Sequence, residues 1–383
     1  MKNRQNNWQK IKLGDAAGEV RNLYNPSPGE HLKYIGLEHI KQNTLRLSSI
    51  GDSADTQSAK KFFSTNDVLF GSLRAYFRKV VKPKFNGVCS TDITVLRSKN
   101  GNDQNFLYYF IANPHFIDFA AASAEGTRMP RVSWKFLSKT QWNFPPSVDQ
   151  KRISDILSAF DDKIELNNKI SKNLEQTAQA IFKEWFGKSE KLKAKSEKLF
   201  KLGKIICGKT PSKSNLKYFG GEIPFIKIPD MHNQMFILKT EDSLTEVGAD
   251  SQKNKFIPRN SICVSCIATV GLVSITTKDS QTNQQINTII PKSESYLEFL
   301  YLALKTIKND LMLIGSGGST TLNINTSIFS NIEILVPEEE VIDKFHKLAN
   351  PMFNKILQIN KENQELATLR DLLLPKLMRG EIV

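Results

Sequence analysis

Two ladders of mostly apolar residues, set about 192 positions apart, constrain this chain more than any other feature. In the first, Ile153, Leu157, Phe160, Ile164, Asn167, Ser171, Leu174, Ala178, Ile181 and Trp185 recur in alternating steps of four and three. In the second, Phe345, Ala349, Met352, Ile356, Ile359, Asn363, Leu366, Arg370, Leu373 and Leu377 keep the same register. Heptad spacing lines such residues along one stripe of a helix, and both ladders are long enough for a coiled coil. For a single helix of this kind, packing on its own domain is the commoner arrangement. Two in matching positions favour pairing with each other, each spanning about 55 Å.

An antiparallel pairing that sets Asn167 opposite Asn363 also sets Leu157 against Leu373 and Ile153 against Leu377. A buried Asn layer costs stability and fixes register. The same alignment places Arg370 against Phe160, which is tolerable if the Arg snorkels to water.

The repeat extends beyond the ladders. "KLGD" (12–15) meets "KLGK" (201–204), and "YIGLEHI" (34–40) meets "FIKIPDM" (225–231). "DVLFGSLRAYF" (67–77) meets "NSICVSCIATV" (260–270), and "STDITVL" (90–96) meets "NQQINTI" (283–289). "GTRMPRVSWKFL" (126–137) meets "GSTTLNINTSIF" (318–329), and "NFPP" (143–146) meets "ILVP" (334–337). These segments are short and alternating, as strands are, and the period changes to helical after each Pro. The expected fold is α+β, with two pseudo-symmetric α/β globular domains separated by two long helices that form an antiparallel coiled coil. The boundaries read as 1–147 for the first domain, 148–186 for the first helix, 187–201 for a basic heptad-repeat linker, 202–337 for the second domain and 338–383 for the second helix. Two similar heads at opposite ends of a rod are the implied object.

Composition narrows the function. Forty per cent hydrophobic residues in 383, with a mean hydropathy of −0.34, fit a soluble globular chain long enough for two cores. No apolar run approaches membrane-spanning length and the start has no apolar signal core, so a cytoplasmic location is expected. Fifty-three Lys and Arg against 39 Asp and Glu give +14, which suits a polyanionic partner, or equally a lysine-rich proteome. Of the four cysteines, Cys263 and Cys266 read C-x-x-C within a strand-like run that sets them on opposite faces. Buried structural thiols are the better reading there, and no metal site is expected.

The stretch "KLGKIICGKTPSKSNLKYFGGEIPFIKIPDM" resembles the opening of a target-recognition domain in specificity subunits of type I restriction–modification systems. "FPPSVDQKRISDILSAFDDKIELNNKISKNLEQTAQAIFKEWF" (144–186) and the terminal "LATLRDLLLPKLMRGEI" are similar to that family's two conserved helical regions. The resemblance covers essentially the whole chain in the family's order. One departure is "PEEEVIDKF" in the second copy, which lacks the Gln-x-x-Ile entry of "PSVDQKRI" and so implies a different docking of that helix end. The resemblance implies a non-catalytic subunit that reads a bipartite target in double-stranded DNA and recruits two modification subunits. Those subunits methylate adenine with S-adenosylmethionine, and restriction subunits that join them translocate and cut DNA using ATP and Mg2+. No cofactor is then expected on this chain.

The residues offer little chemistry against that reading. Gly203 to Thr210 fits the phosphate-cradling G-x-x-x-x-G-K-T, but turn residues rather than a helix follow it. "NFPP" has a methyltransferase loop's letters in the wrong order, and "GSGGST" (315–320) is not set between a strand and a helix. A coiled-coil scaffold without DNA specificity is the alternative from another class, and salt-sensitive binding to duplex DNA separates the two.

Phosphates are met by Lys and Arg, and base edges by Arg, Lys, amides and hydroxyls. In the first domain the candidates are Arg74, Tyr76, Arg78, Lys79, Thr127, Arg128 and Arg131. In the second they are Lys209, Lys213, Ser265, Thr269, Lys278, Gln281, Asn283, Gln284, Gln285, Ser319, Thr320 and Asn323. For any one of them a solvated loop is the plainer role.

Between the halves, "KSEKL" is written at 188–192 and again at 195–199. A seven-residue unit in a helix adds about 10.5 Å, roughly three base pairs of DNA, so the repeat suits a spacer between half-sites. Gly187 also permits a helix end, leaving 187–201 a basic linker with six Lys against two Glu. The first domain is Arg-rich and the second amide- and hydroxyl-rich, so the two half-sites should differ, with guanine favoured in the first. Mapping the DNA target checks this, and one palindromic word in both halves contradicts it.

Overall fold

Each ladder is one unbroken helix. In the computed structural model, which describes residues 7–27, 29–187, 194–316 and 322–382, the helices run Ser147–Phe186 and Glu339–Met378, 40 residues each. Pro145, Pro146 and Pro337 separate them from the strands Gln141–Phe144 and Glu333–Val336, because proline brings no N–H to a sheet ladder. The first ends at Gly187, whose N–H donates to the Lys183 carbonyl at 2.8 Å. Past the second, Gly380 takes φ of 66°, a left-handed cap.

The chain divides within both helices into two units, one of residues up to 164 with 365 onward, the other of 165–364. In the second unit the two amides of the seam meet. Asn167 Nδ2 donates to Asn363 Oδ1 at 2.9 Å and to the Glu362 carboxylate at 3.0 Å, and Asn363 Nδ2 donates to Asn168 Oδ1 at 3.0 Å. In the first unit Ile153, Leu157, Leu373 and Leu377 share one core.

Arg370 does not snorkel. Its side chain is 2% exposed and its guanidinium binds Asp161 at 2.5 Å and Asp371 at 2.8 Å. Asp161 also accepts from the Tyr109 hydroxyl at 2.7 Å. Burial alone lowers an arginine's pKa, but here the two aspartates outweigh it and raise Arg370 above its ordinary range. The ladder places Arg370 against Phe160, whereas the adjacent Asp161 takes its charge.

The first unit is built on two sheets. One runs in the order Val80–Val81, Val68–Gly71, Ile93–Ser98, Ala17–Glu19, the other Leu23–Tyr24, Lys60–Phe63, Gly87–Ser90, Lys33–Ile35, Gly51–Asp52. Helix Gln104–Ala112 starts where the Asp103 side chain accepts from the Phe106 N–H, and seven of its residues are buried. Helix Pro114–Ala122 follows, with Pro at its first turn. Strand Gln9–Lys12 pairs antiparallel with Gln141–Phe144, closing the domain at the entry to the long helix.

The second unit repeats this wiring. Its main sheet runs Gly203–Cys207, Ile286–Pro291, Ile262–Ser265, Val273–Thr276, Phe236–Ile237. Ile286 pairs with Ser265 as Ile93 pairs with Gly71. Strand Lys195–Lys198 pairs with Glu333–Val336 as Gln9–Lys12 pairs with Gln141–Phe144.

This last pairing corrects two readings. Residues 195–201 are not linker: Lys195–Lys198 is an edge strand and Leu199–Leu202 a short helix with both leucines buried. The second heptad unit is therefore no helix extension, and the first, at 188–192, lies outside the described residues. "KLGD" and "KLGK" are also not counterparts. Lys12-Leu13 opens the short helix of the first unit and Lys198-Leu199 that of the second, so the letters match three positions out of register.

The two helix entries dock differently, for a visible reason. Gln150 is buried; its side chain accepts from the Asp103 N–H and donates to Asn102 and the Pro145 carbonyl. Its counterpart in the second helix is Ile342, fully buried among apolar side chains.

Replacing Asn363 by Leu removes its bonds to Asn167 and Asn168, leaving Asn167 only the Glu362 carboxylate, and should lower stability by about 1–3 kcal/mol. Leucine at both positions should recover most of that loss while weakening register. Chemical denaturation of the single and double variants checks it.

Candidate nucleic-acid interface

Both units present the same pair of loops on the same main-chain frame. In the first, Leu73 bridges to Arg131, and the Arg74 N–H donates to the Pro130 carbonyl at 2.8 Å. In the second, Ile267 bridges to Asn323, and the Ala268 N–H donates to the Leu322 carbonyl at 3.0 Å. Arg74 and Ala268 both take left-handed backbone angles, φ 52° and 63°. A non-glycine residue there is uncommon, and it recurs because each turn bends the chain out of a buried strand onto its partner loop.

On the first unit's frame Thr127 and Arg128 are exposed, with Tyr76 50% and Met129 56% exposed. Arg74 reaches the Arg128 carbonyl at 3.4 Å. Arg131 holds Asp92 at 2.6 Å while staying largely open. Two of the sequence candidates are occupied by the fold: Arg78 pairs with Asp118 at 3.0 Å, and Lys79 donates to the Leu37 carbonyl at 2.6 Å. Met129 was not among the candidates, since its side chain carries no charge or amide.

On the second unit's frame Asn323 is exposed and Thr269 half-buried. Ser319 and Thr320 lie outside the described residues. A second group gathers where the Lys209 N–H donates to the Thr282 carbonyl at 2.9 Å and Thr210 Oγ1 donates to Gln284 Oε1 at 2.7 Å. Lys209, Lys213, Lys278 and Gln284 are exposed.

Three candidates are overturned. Ser265 is fully buried, its Oγ accepting from the Leu272 N–H at 2.9 Å. Gln281 is fully buried, donating to the Ala249 carbonyl at 2.8 Å and accepting from Gln252 at 2.7 Å. Asn283, 7% exposed, closes a turn by donating to Gln285 Oε1 and accepting from its N–H, which also occupies Gln285. Buried amides must find partners, and these have found them inside the domain.

The phosphate-loop letters are explained by packing. Gly203–Cys207 is a strand, and the Gly208 N–H donates to the Ile286 carbonyl at 3.1 Å. A Cβ on Gly208 would sit 2.1 Å from Thr282 Oγ1, so glycine lets two backbones meet. The Gly208 and Lys209 amides, which a phosphate would need, donate to the Ile286 and Thr282 carbonyls here. Cys263 and Cys266 join different clusters on the two sides of their sheet, and burial pushes their thiols up to about 12 and about 11. Among the described residues no His, Cys, Asp or Glu group could hold a metal ion, and no helix is long and apolar enough to cross a membrane.

A duplicated frame with different side chains on each copy, in a chain of net charge +14, suits a reader of a polyanion. Comparison with known proteins places it. A family model for the type I restriction modification DNA specificity domain matches twice, over residues 5–176 and 194–366. The specificity subunit of the type I restriction enzyme HindI from Haemophilus influenzae is 36% identical over 458 residues, covering 98% of this chain and 99% of that one. The MjaIX specificity subunit of Methanocaldococcus jannaschii is 25% identical over 307 residues, covering 74% and 70%. The crystal structure of the S subunit of a type I restriction–modification system from M. genitalium shares the fold, with a TM-score of 0.60 at 16% identity over 98% of this chain and 97% of that one. The chain belongs to the type I restriction–modification specificity family, and its function is DNA sequence specificity within such a system.

Arg128→Ala should weaken duplex binding and reduce the salt dependence of log K by about one unit if Arg128 meets a phosphate, or relax one base position by about 1–3 kcal/mol if it meets a base. Gln281→Ala should lower thermal stability instead. Binding titrations and melting curves separate the two classes of residue.

Proposed function

We propose that each unit reads one half of a split, asymmetric DNA target, and that the chain itself performs no catalysis. It presents the target to two modification subunits, which use S-adenosylmethionine to methylate adenine, and to restriction subunits that use ATP and Mg2+. This work takes place in the cytoplasm, where the chromosome lies. The observation that carries the reading is the loop frame repeated in both units with unlike chemistry: Arg74, Tyr76 and Arg128 on one, Thr269 and Asn323 on the other. A shared frame suits one mode of approach to a groove, and unlike side chains suit unlike base sequences. The segment 188–194, between the helix end and the edge strand at Lys195, is where spacer length would be adjusted.

The test is to co-express the chain with its modification subunit and map methylated adenines across the host genome. A bipartite word with a fixed, non-palindromic pair of halves is expected. Purified complex should lose duplex affinity by about 10³–10⁵ between 50 and 200 mM salt if six to ten phosphates are met. A stable complex that adds no methylation would overturn the reading.

A further inference from the structure

The helix positions that receive the two recognition domains are counterparts in number, about 192 residues apart, but not in chemistry. Where the first unit has Phe106 on its buried helix, the second has Glu298, fully buried. That carboxylate accepts from Asn350 at 2.9 Å and meets His346 Nδ1 at 2.6 Å, both on the second long helix. The matching places on the first long helix are Ser154 and Ser158, whose hydroxyls turn back onto their own helix carbonyls.

A second site shows the reverse. Tyr109 in the first unit donates to Asp161, which binds Arg370. Its counterpart Tyr301 packs edge-on against Phe353 at 5.5 Å, where Asp161 has its equivalent, and Ala178 stands in the place of Arg370. Tyr301 finds its acceptor on Glu175 instead, at 3.1 Å, beside Lys305 at 2.5 Å. Gln150 against Ile342 adds a third difference.

From these pairs we infer that the long helices carry two non-equivalent docking sockets, so that each recognition domain is accepted at one position and rejected at the other. The rejection is physical. The second domain on the first socket buries Glu298 with neither His346 nor Asn350, and takes Tyr301 and Lys305 away from Glu175. The first domain on the second socket sets the apolar Phe106 on His346 and Asn350. An unpaired buried carboxylate is among the costliest defects a core can hold. Resting on the function proposed above, the sockets would fix the order of the two half-sites along the DNA.

The experiment uses full-length chains and thermal melting, which needs no DNA and so fails or succeeds independently of the recognition reading. In a chimera, residues 13–144 are replaced by a second copy of 199–336 on unaltered helices. Its midpoint should fall by at least about 8 °C below the parent. Adding Ser154→His, Ser158→Asn, Asp161→Phe and Arg370→Ala should return the chimera to within about 3 °C, while the same four changes should lower the parent. A chimera that melts with the parent on unaltered helices overturns the proposal. So does a failure of the four substitutions to restore it.

Discussion

A hydrogen bond between two buried amides, Asn167 to Asn363, sets the register on which everything else in this chain depends. Apolar side chains along a heptad seam are nearly interchangeable between one turn and the next, so they hold helices together without saying where. A misaligned amide pair buries polar groups without partners, and that cost singles out one alignment. A slip by one heptad moves every facing residue by about 10.5 Å. Arg370 would then leave Asp161. Register is thus the condition for the ionic contact between the two long helices.

The domains themselves divide frame from chemistry. Main-chain bonds such as Arg74 N–H to Pro130 O and Ala268 N–H to Leu322 O are indifferent to side chains, so the loops keep their place while their residues differ. That separation allows a recognition surface to change without the sheet beneath it changing. It also accounts for how far the two halves have drifted in letters while keeping pairings such as Ile93 to Gly71 and Ile286 to Ser265.

Much of this was legible in the sequence, because periodicity and proline act locally. The two helices, their Pro boundaries, the Asn layer and the opposite faces of Cys263 and Cys266 all follow from spacing alone. What was not legible depends on partners distant in sequence. "TNQQ" reads as a row of exposed amides, yet Gln281 is core because strand pairing turns it toward Gln252. Arg370 reads as a flaw in a ladder because its partner Asp161 lies beside the facing position rather than at it. Glu298 and His346 give no signal individually; only the fold brings them within 2.6 Å. The second "KSEKL" looks like a copy of a linker, and its role as an edge strand is visible only against Glu333–Val336.

The way residues are shared out between the units bears on how the chain is made. Residues 165–364 form one unit without interruption, so it can close as soon as it has been synthesised. The other draws Arg370, Leu374, Leu377 and Met378 into the core around Phe106, Tyr109 and Leu157. During translation, therefore, the domain made first is the one finished last, and it keeps an open apolar face on the ribosome until the second helix has emerged.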